Sequence, residues 1–368
     1  MYNQYISNYC FIRFWRGVRQ VDVLNFLDKV DEMNVSFEPI YSADEHVIVA
    51  YEVIGQYTIE GKTFNVTELT YDETIPEDLR SEMELNLIKK AITFSKEDVL
   101  QKQIALYLPC NPNLLMIDFG DRYFQMLKDL IDESQFPYIY LVIPEHKYEG
   151  DFEQLQHPIR YIKTYGVKIA LDQIGSESNL DQILMFEPAV LKINVSQLNY
   201  NAWGAQNHVF TTIQALAVKI GATLMFDNIS TDYQLHHAWK NGARYFKGGY
   251  LQKPSNQFIP KDTLKERFRN ECQQFISAEK RLLEMKYSEM LQLKKKIATI
   301  VEHTKPERNN DEKLLQLAKQ LENIAFRFYI CNEEGFQISP NIVRQNGKWI
   351  VDQDAVGKNW SWRPYFLF

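Results

Sequence analysis

The stretch HVFTTIQALAVKIGATLMFD, residues 208–227, contains the alternation that decides the fold. Its first part spaces apolar residues as a helix does and closes with Gly221, a residue suited to a helix C-cap. A short apolar run follows at once and stops at Asp227, as a buried parallel strand does. The stretch therefore predicts a helix followed by a strand, the repeating unit of an α/β fold.

The same rhythm recurs on both sides of this stretch. The other strand-like runs are HVIVAYE ending at Glu52, QIALYLP at Pro109, YIYLVIPE at Glu145, VKIALD at Asp172, VLKIN at Asn194 and RYFKGG at Gly249. Helical patterns at 76–95, 123–133 and 151–166 lie between them. Strand-helix units repeated in this way predict a TIM-like (β/α)8 barrel of the α/β class. A doubly wound open sheet is the alternative, but no G-x-G-x-x-G follows an early strand.

The pattern changes beyond residue 260. Residues 261–303 lack Gly and Pro and space their apolar residues three, four or seven apart, which predicts a long amphipathic helix. This helix is either a dimer-forming or signalling connector or a helix packed on its own barrel. Residues 305–311 read as a polar loop, and a shorter helix over 312–325 and strand-like pieces follow, with turns at Glu334-Gly335 and Asn346-Gly347. The predicted division is an N-terminal segment 1–36, a barrel 37–260, a connector helix 261–304 and a partial α+β domain 305–368.

Composition narrows the class of function. Lys and Arg number 41 against 48 Asp and Glu, a net charge of −7, and no basic block is present, which argues against DNA or RNA as a partner. The four cysteines stand far apart without a CxxC pair, so we expect neither a zinc site nor disulfides. Reduced cysteines are typical of the cytoplasm, and we expect the protein to be located there. No apolar run reaches about 18 residues, so membrane insertion is not expected.

Polar residues end or follow most of the predicted strands, and a barrel gathers them on one face, where active sites are built. They are Glu52, Glu145, Asp172, Lys192, Asn194, Asp227 and Lys247. Carboxylates and ammonium groups in one cleft are typical of a divalent-metal and phosphate site. Asp172 and Asp227 have a second reading as N-caps of the following helices, and the spacing does not decide between the two.

Four segments together carry a resemblance: 41–57, 169–183, 190–194 and 242–254. They resemble the EAL domain family, and the chain is most similar to its YkuI-type members. The resemblance implies a barrel that hydrolyses cyclic di-GMP with two Mg2+ or Mn2+ ions. For the YkuI type it also implies a long helix followed by a PAS-like domain.

The residues depart from the family pattern at the metal and phosphate positions. Glu52 matches the metal-binding Glu of the signature, but Gln56 stands where the family has an Arg that holds a substrate phosphate. Gln lacks the charged, bidentate fork of Arg. Pro109 aligns with a metal-binding Asn, although a shift of two residues would bring Asn111 there instead.

The later strands show further departures. Val142 aligns with a metal-binding Glu, and the double-Asp motif reads Asp172-Gln173. Lys192 matches the catalytic Lys, whereas Asp227 and Lys247 replace a Glu and a Gln. Two divalent ions require several carboxylates to offset their repulsion. With two negative charges lost and one cation gained, we expect no efficient phosphodiesterase activity.

The sequence thus leaves three functional hypotheses: a degenerate receptor or regulatory module for cyclic di-GMP, a pseudoenzyme scaffold for a protein partner, and a residual metal-dependent phosphodiesterase. The predicted ligand-binding residues are Glu52, Gln56, Asp172, Asp227 and Lys247. Lys192 is predicted to be a vestigial catalytic residue, and Glu52, Asp172 and Asp227 vestigial metal positions. No resident cofactor is expected, with Mg2+ or Mn2+ only in a still competent site. A homodimer is expected as well.

Overall fold

The computed structural model describes residues 32–59, 61–196, 206–303 and 310–366. The chain divides into two units between Gln273 and Gln274. The predicted N-terminal segment up to residue 31, and most of the predicted polar loop 305–311, lie outside the described residues.

Eight strands of the first unit close into a barrel, as predicted. They are β1 (Asn34–Ser42), β2 (Ile48–Ile59), β4 (Ala105–Pro109), β5 (Ile139–Pro144), β6 (Lys168–Asp172), β7 (Val190–Asn194), β8 (Thr223–Asp227) and β9 (Tyr245–Phe246). The ring runs β1-β9-β8-β7-β6-β5-β4-β2, and pairing of β2 with β1 closes it. Strand β3 (Lys62–Asn65) pairs with the end of β2 outside the ring.

Strand β1 is antiparallel to both of its neighbours, which the sequence pattern did not predict. It is joined to β2 by only the short turn at residues 43–47, and so short a link makes a hairpin rather than a parallel crossover. Glu38 on β1 lies opposite Glu52 on β2 in the register. The hairpin thus brings two carboxylates to the same point of the barrel wall.

Helices surround the ring. They are α1 (Val66–Leu69), α2 (Glu77–Ser95), α3 (Pro112–Leu115), α4 (Asp121–Leu130), α5 (Phe152–Thr164), α6 (Leu180–Phe186), α7 (Gln206–Ile220) and α8 (Asp232–Lys240), with short segments of other helix types at Lys96–Leu100, Glu133–Tyr138 and Glu145–Lys147. Gly166 and Gly221 have φ of 96° and 72°, the left-handed conformation of a helix C-cap. Both predicted caps are therefore confirmed.

The barrel interior is a packed apolar core. It consists of Ile40, Ala50, Tyr107, Tyr140, Val142, Ala170, Val190 and Met225. The rings of Tyr107 and Tyr140 stack with 4.3 Å between their centroids and an angle of 5° between their planes. Because side chains alternate along a strand, the residue two positions further towards the mouth faces the interior again. The next interior layer is the one that carries charge.

The second unit is a small α+β unit. The predicted long helix is confirmed as α9 (Lys265–His303), whose 39 residues start in the first unit and continue into the second. It is followed by α10 (Asn310–Gln320), β10 (Arg327–Phe328), β11 (Asn341–Gln345), β12 (Lys348–Asp352) and a final turn of 3-10 helix, Pro364–Phe366. Its core joins Leu314, Ala318 and Ile342. Asn346 and Gly347, with φ of 50° and 77°, form the predicted hairpin turn.

Among the described helices, none combines the length and the apolar character that a membrane crossing requires.

Candidate functional site

A charged layer lies directly above the apolar core, at the mouth of the barrel. Each of its residues stands two positions from a core residue or its packing partner on the same strand. Glu52 follows Ala50, Asp172 follows Ala170, Lys192 follows Val190, Asp227 follows Met225, Lys247 follows Tyr245, and Glu38 precedes Ile40 on the antiparallel β1. Because side chains two residues apart on a strand face the same side, a charged residue at the end of an apolar strand lies directly above the core.

Lys192 lies at the centre of three carboxylates. Its Nζ is 2.8 Å from Glu52 Oε1, 3.3 Å from Asp172 Oδ2 and 3.5 Å from Asp227 Oδ2. The side chain is completely buried. Burial alone would lower the pKa of this lysine, but the carboxylates of Asp172, Glu52 and Asp227 raise it above its ordinary value. Lys192 is therefore a permanent cation.

Lys247 forms a second, parallel set of contacts. Its Nζ lies 2.9 Å from Glu38 Oε2, 3.1 Å from Asp227 Oδ1 and 3.3 Å from Glu52 Oε2. Burial would lower the pKa of Lys247, but Glu52, Asp227 and Glu38 raise it well above its ordinary value. Glu38 was missed by the sequence analysis. The ammonium group of Lys247 therefore sits inside the carboxylate cluster.

The glycine after Lys247 explains why the lysine reaches this place. Gly248 has φ of +148°, and a Cβ there would lie 2.3 Å from the backbone of Ile229. The N–H of Ile229 donates to the carbonyl of Lys247 at 3.1 Å, and the N–H of Tyr250 donates to the carbonyl of Ile229 at 3.0 Å. Close backbone packing against the loop after β8 fixes the direction of Lys247.

The two lysines divide the carboxylates electrostatically. Burial raises the pKa of Glu38, against the opposing effect of Lys247, and raises that of Asp172, against Lys192. Burial would also raise the pKa of Asp227, but Lys247 and Lys192 outweigh it and hold the value below the ordinary range. Asp227 contacts both lysines and is therefore held as an anion.

The ends of β6 and β8 share one backbone conformation, a residue with positive φ directly after the aspartate. Gln173 and Asn228 follow the two aspartates with φ of 63° and 60°. The N–H of each donates to Oδ1 of the preceding aspartate, at 2.8 Å for Asp172 and 2.5 Å for Asp227. Each aspartate thus presents its other oxygen, Oδ2, to Lys192. The aspartates accept bonds from their own turns rather than capping α6 or α8, whose N-caps are Asn179 and Thr231.

A cavity of about 540 Å³ opens above the charged layer. Its floor includes Glu38, Glu52, Asp172, Asp227 and Lys247. Pro109, Val142 and Gln173 also line it. The resemblance described above aligns these three positions with metal ligands of the family, and Pro109 pairs with Val142 across β4 and β5. An apolar strip therefore forms part of the wall.

Other residues singled out by the sequence are not part of the cavity lining. Gln56, further along β2, is exposed. Asn111 is buried and caps α3, its Oδ1 accepting from the N–H of Asn113 at 3.0 Å. Glu145 is buried, and its Oε1 accepts from the N–H of Asn179 at 2.6 Å. Asn194 Oδ1 accepts from the N–H of Ser196. The alternative alignment, with Asn111 as the metal-site amide, does not match this arrangement.

The donor set does not fit a pair of divalent cations. Four carboxylates and two ammonium groups give a formal charge of −2, while two divalent ions carry +4. The ammonium groups lie where the carboxylate oxygens converge. Within the described ranges, no group of three or more His, Cys, Asp or Glu side chains is arranged to hold a metal ion. The geometry is that of a carboxylate cluster whose negative charge is partly offset by two lysines.

Comparison with known proteins gives a consistent result. Residues 21–254 match the EAL domain, and residues 258–368 match an EAL-domain associated signalling protein domain. The uncharacterized EAL-domain containing protein YkuI of Bacillus subtilis is 38% identical over 355 residues, 94% of this chain and 86% of that protein.

Two solved structures extend the comparison. The crystal structure of Bacillus subtilis YkuI in complex with substrate c-di-GMP and calcium has a TM-score of 0.84 at 37% identity, covering 94% of this chain and 86% of that one. The Xanthomonas citri FimX EAL domain in complex with c-diGMP has a TM-score of 0.55 at 17% identity, covering 65% of this chain and 95% of that one. The second likeness supports the fold alone.

Proposed function

Since this chain belongs to the EAL domain family, we propose that it is a receptor that binds cyclic di-GMP in the barrel cavity without a two-metal centre. In this proposal the dinucleotide is bound and not efficiently hydrolysed. The second unit, which matches a domain associated with EAL signalling proteins, then reads or adjusts the state of the barrel.

Two observations support binding. The cavity of about 540 Å³ lies in the range of small-molecule sites, about 300–1,000 Å³. YkuI, whose structure contains c-di-GMP, is 37% identical to this chain over the aligned residues. A pocket of this size at the carboxyl ends of barrel strands is also where this fold places its ligands.

The observation that carries the loss of hydrolysis is the position of Lys247. Its ammonium lies within 3.3 Å of Glu38, Glu52 and Asp227. A second divalent ion would have to displace this ammonium from Glu38, Glu52 and Asp227, and the ammonium would then lose all three of its carboxylate contacts. Without a metal to generate hydroxide, Lys192 alone does not supply a nucleophile, because its own pKa is raised.

Titration calorimetry tests the proposal. Cyclic di-GMP should release binding heat in EDTA, and added Mn2+ should change the affinity little. Chromatography of the same mixtures should show the intact dinucleotide after long incubation. A linear product that forms with Mn2+, and no longer forms in Glu52→Ala, would identify a phosphodiesterase instead. Absence of binding heat and of a thermal shift would remove the receptor proposal.

The surface of α9 favours self-association as an additional role. Ile276, Leu283, Met290 and Ile297 are all exposed and are spaced seven residues apart. Apolar side chains at this spacing form the seam of a coiled coil, so we propose that these residues of α9 pack against the same helix of a second copy of the chain. Light scattering should report a dimer for the native chain and a monomer for Leu283→Glu. Ser288→Glu, on a different side of α9, should remain dimeric.

The proposal includes a cytoplasmic location, since the described cysteines Cys110, Cys272 and Cys331 are free thiols. A PAS-like character of the second unit belongs to the proposal as well. It rests on the α10 helix packed against a three-stranded antiparallel sheet.

A further inference from the structure

The charge of the cavity floor restricts where a phosphate can bind. The cluster of Glu38, Glu52, Asp172 and Asp227 with its two lysines has a formal charge of −2. A phosphodiester is itself negative, so the floor repels it unless a further cation intervenes. Lys247 already contacts three carboxylates. The phosphate contacts must therefore come from elsewhere in the wall.

Lys147 is the other cation among the described residues that line the cavity. It follows β5 and is exposed, and none of the described carboxylates lies within ion-pair distance of it. Its backbone is nevertheless held, because its carbonyl accepts a hydrogen bond from Asn113 Nδ2 at 2.8 Å. Lys147 thus combines a fixed backbone with an ammonium group that is not committed to a carboxylate.

Tyr71 lies beside Lys147 and has an unusual hydroxyl group. The hydroxyl oxygen is buried without a hydrogen-bond partner among the described residues, although the side chain lines the cavity. Burial raises the pKa of Tyr71 above its ordinary value, so the group stays a neutral donor. A buried donor without an acceptor is costly and calls for an explanation. A ligand oxygen would satisfy it.

The structure around Tyr71 holds it in position. Asn111 Nδ2 donates to the carbonyl of Thr70 at 2.8 Å, and the N–H of Tyr71 donates to the carbonyl of Glu68 at 3.2 Å. Lys147 Nζ lies 5.8 Å from the centroid of the Tyr71 ring. The Tyr71 ring and the Lys147 ammonium therefore belong to the same part of the cavity wall. Among the described residues, no acceptor holds the Tyr71 hydroxyl and no carboxylate holds the Lys147 ammonium.

We propose that Tyr71 and Lys147 form the phosphate-binding subsite of this cavity. The inference rests on the proposed binding of cyclic di-GMP. In it, the Tyr71 hydroxyl donates a hydrogen bond to one non-bridging phosphate oxygen, and Lys147 supplies the positive charge. The pair thereby takes over the role that the exposed Gln56 does not fill.

Calorimetric titration of cyclic di-GMP in EDTA tests the assignment with matched variants. Tyr71→Phe should weaken binding about tenfold, the loss of one hydrogen bond to a charged acceptor. Lys147→Gln should weaken it about threefold to tenfold, and Lys147→Arg should retain most of the affinity. Binding by Lys147→Gln should also depend less on salt concentration than binding by the native chain.

The controls remove the same groups elsewhere. Tyr123→Phe deletes another buried hydroxyl without a partner among the described residues, outside the cavity lining, and should leave affinity unchanged. Lys89→Gln removes an exposed lysine of α2 and should do the same. Unliganded Tyr71→Phe should unfold at the native temperature or above it. A lower unfolding temperature would mean that the hydroxyl has a structural partner, and would overturn the assignment.

Competition with GMP and guanosine separates phosphate from base recognition. If the assignment is right, both variants lose affinity for GMP but not for guanosine. Equal losses for the two ligands would place the base at this subsite and overturn the inference. Native binding of cyclic di-GMP with both variants unaffected would overturn the subsite alone. A native chain that does not bind the dinucleotide would remove the receptor proposal and the subsite together.

Discussion

Replacing Lys247 by glutamine tests the central feature of the site, the ammonium group inside the carboxylate cluster. The native Nζ has carboxylate oxygens at 2.9, 3.1 and 3.3 Å, and the side chain is only 6% exposed. Glutamine keeps part of the length and a hydrogen-bond donor but removes the charge. The formal charge of the cluster then changes from −2 to −3, with Lys192 as its remaining cation.

The expected cost follows from this burial. Breaking a buried ion pair by removing one partner costs about 3–5 kcal/mol, so Lys247→Gln should lower the free energy of unfolding by an amount of this order in EDTA. A divalent cation should then replace the missing ammonium. At a concentration about 100 times its Kd, bound Mn2+ restores about 2.7 kcal/mol, more than half of the loss. The native chain should gain nothing comparable.

The assay is urea unfolding of the barrel with and without Mn2+, together with calorimetric titration of the metal. Lys96→Gln is the matched control, because Lys96 Nζ donates to the carbonyl of Leu130 at 2.8 Å and contacts no cavity carboxylate. The control should not acquire metal affinity. The reasoning is refuted if Lys247→Gln binds Mn2+ no better than the native chain, or if the native chain itself binds two ions.

Three further predictions address the surroundings of the site. Burial raises the pKa of Glu84 from its ordinary value of 4.5 to about 8. Between pH 4.5 and about pH 8, the folded chain therefore keeps a proton on Glu84 that the unfolded chain releases, and the free energy of unfolding falls as pH rises. Glu84→Gln should flatten that slope by up to about 1.4 kcal/mol per pH unit, measured by urea unfolding across this range, and an unchanged slope would contradict the assignment. Gly248→Ala should destabilise the barrel and reduce cyclic di-GMP binding, because its Cβ would lie 2.3 Å from the Ile229 backbone; native affinity and unfolding temperature would show that the turn adapts. Asn111→Ala should cost about 1–3 kcal/mol in thermal or urea unfolding, because the buried side chain both caps α3 and donates to the Thr70 carbonyl; an exposed control, Asn323→Ala, should cost little.

The strands and the charged layer were predictable because two simple periodicities carry them. Apolar runs that end in a polar residue place Glu52, Asp172 and Asp227 at strand ends, and the barrel topology gathers such ends on one face. Lys192 belongs to the same layer for the same reason, two residues after Val190. The long helix was predictable from an unbroken helical spacing of apolar residues without Gly or Pro.

Glu38 could not be identified in the same way. Its strand contains Pro39, a residue that argues against a strand interior, and β1 runs against the direction of the other barrel strands. The antiparallel direction means that Glu38 precedes the core residue Ile40 instead of following it. The sequence did contain a signal, because Glu38 and Ile40 are two residues apart and therefore lie on the same face of a strand. Using that signal required a strand at residues 34–42, which the repeated strand-helix pattern does not include.

Tyr71 and Lys147 needed the structure for a different reason. Whether a hydroxyl is buried without an acceptor depends on every neighbour in space, and neither residue lies at a strand end. The partners of Lys247 also needed the structure, because its contacts join β1, β2 and β8. Sequence reasoning identified the cation, but only the folded chain shows that the carboxylates already neutralise it.

The charge balance of the floor also distinguishes one bound ion from two. Four carboxylates and two ammonium groups sum to −2, so a single divalent cation would bring the cluster to zero, and a second, with both lysines still in place, would bring it to +2. A single ion cannot clamp both the attacking and the leaving oxygen of a phosphodiester, which is the contribution of a two-metal site. Uptake of one ion by this cavity would therefore be compatible with a receptor. Only uptake of two, which requires Lys247 to leave its three carboxylates, would support hydrolysis.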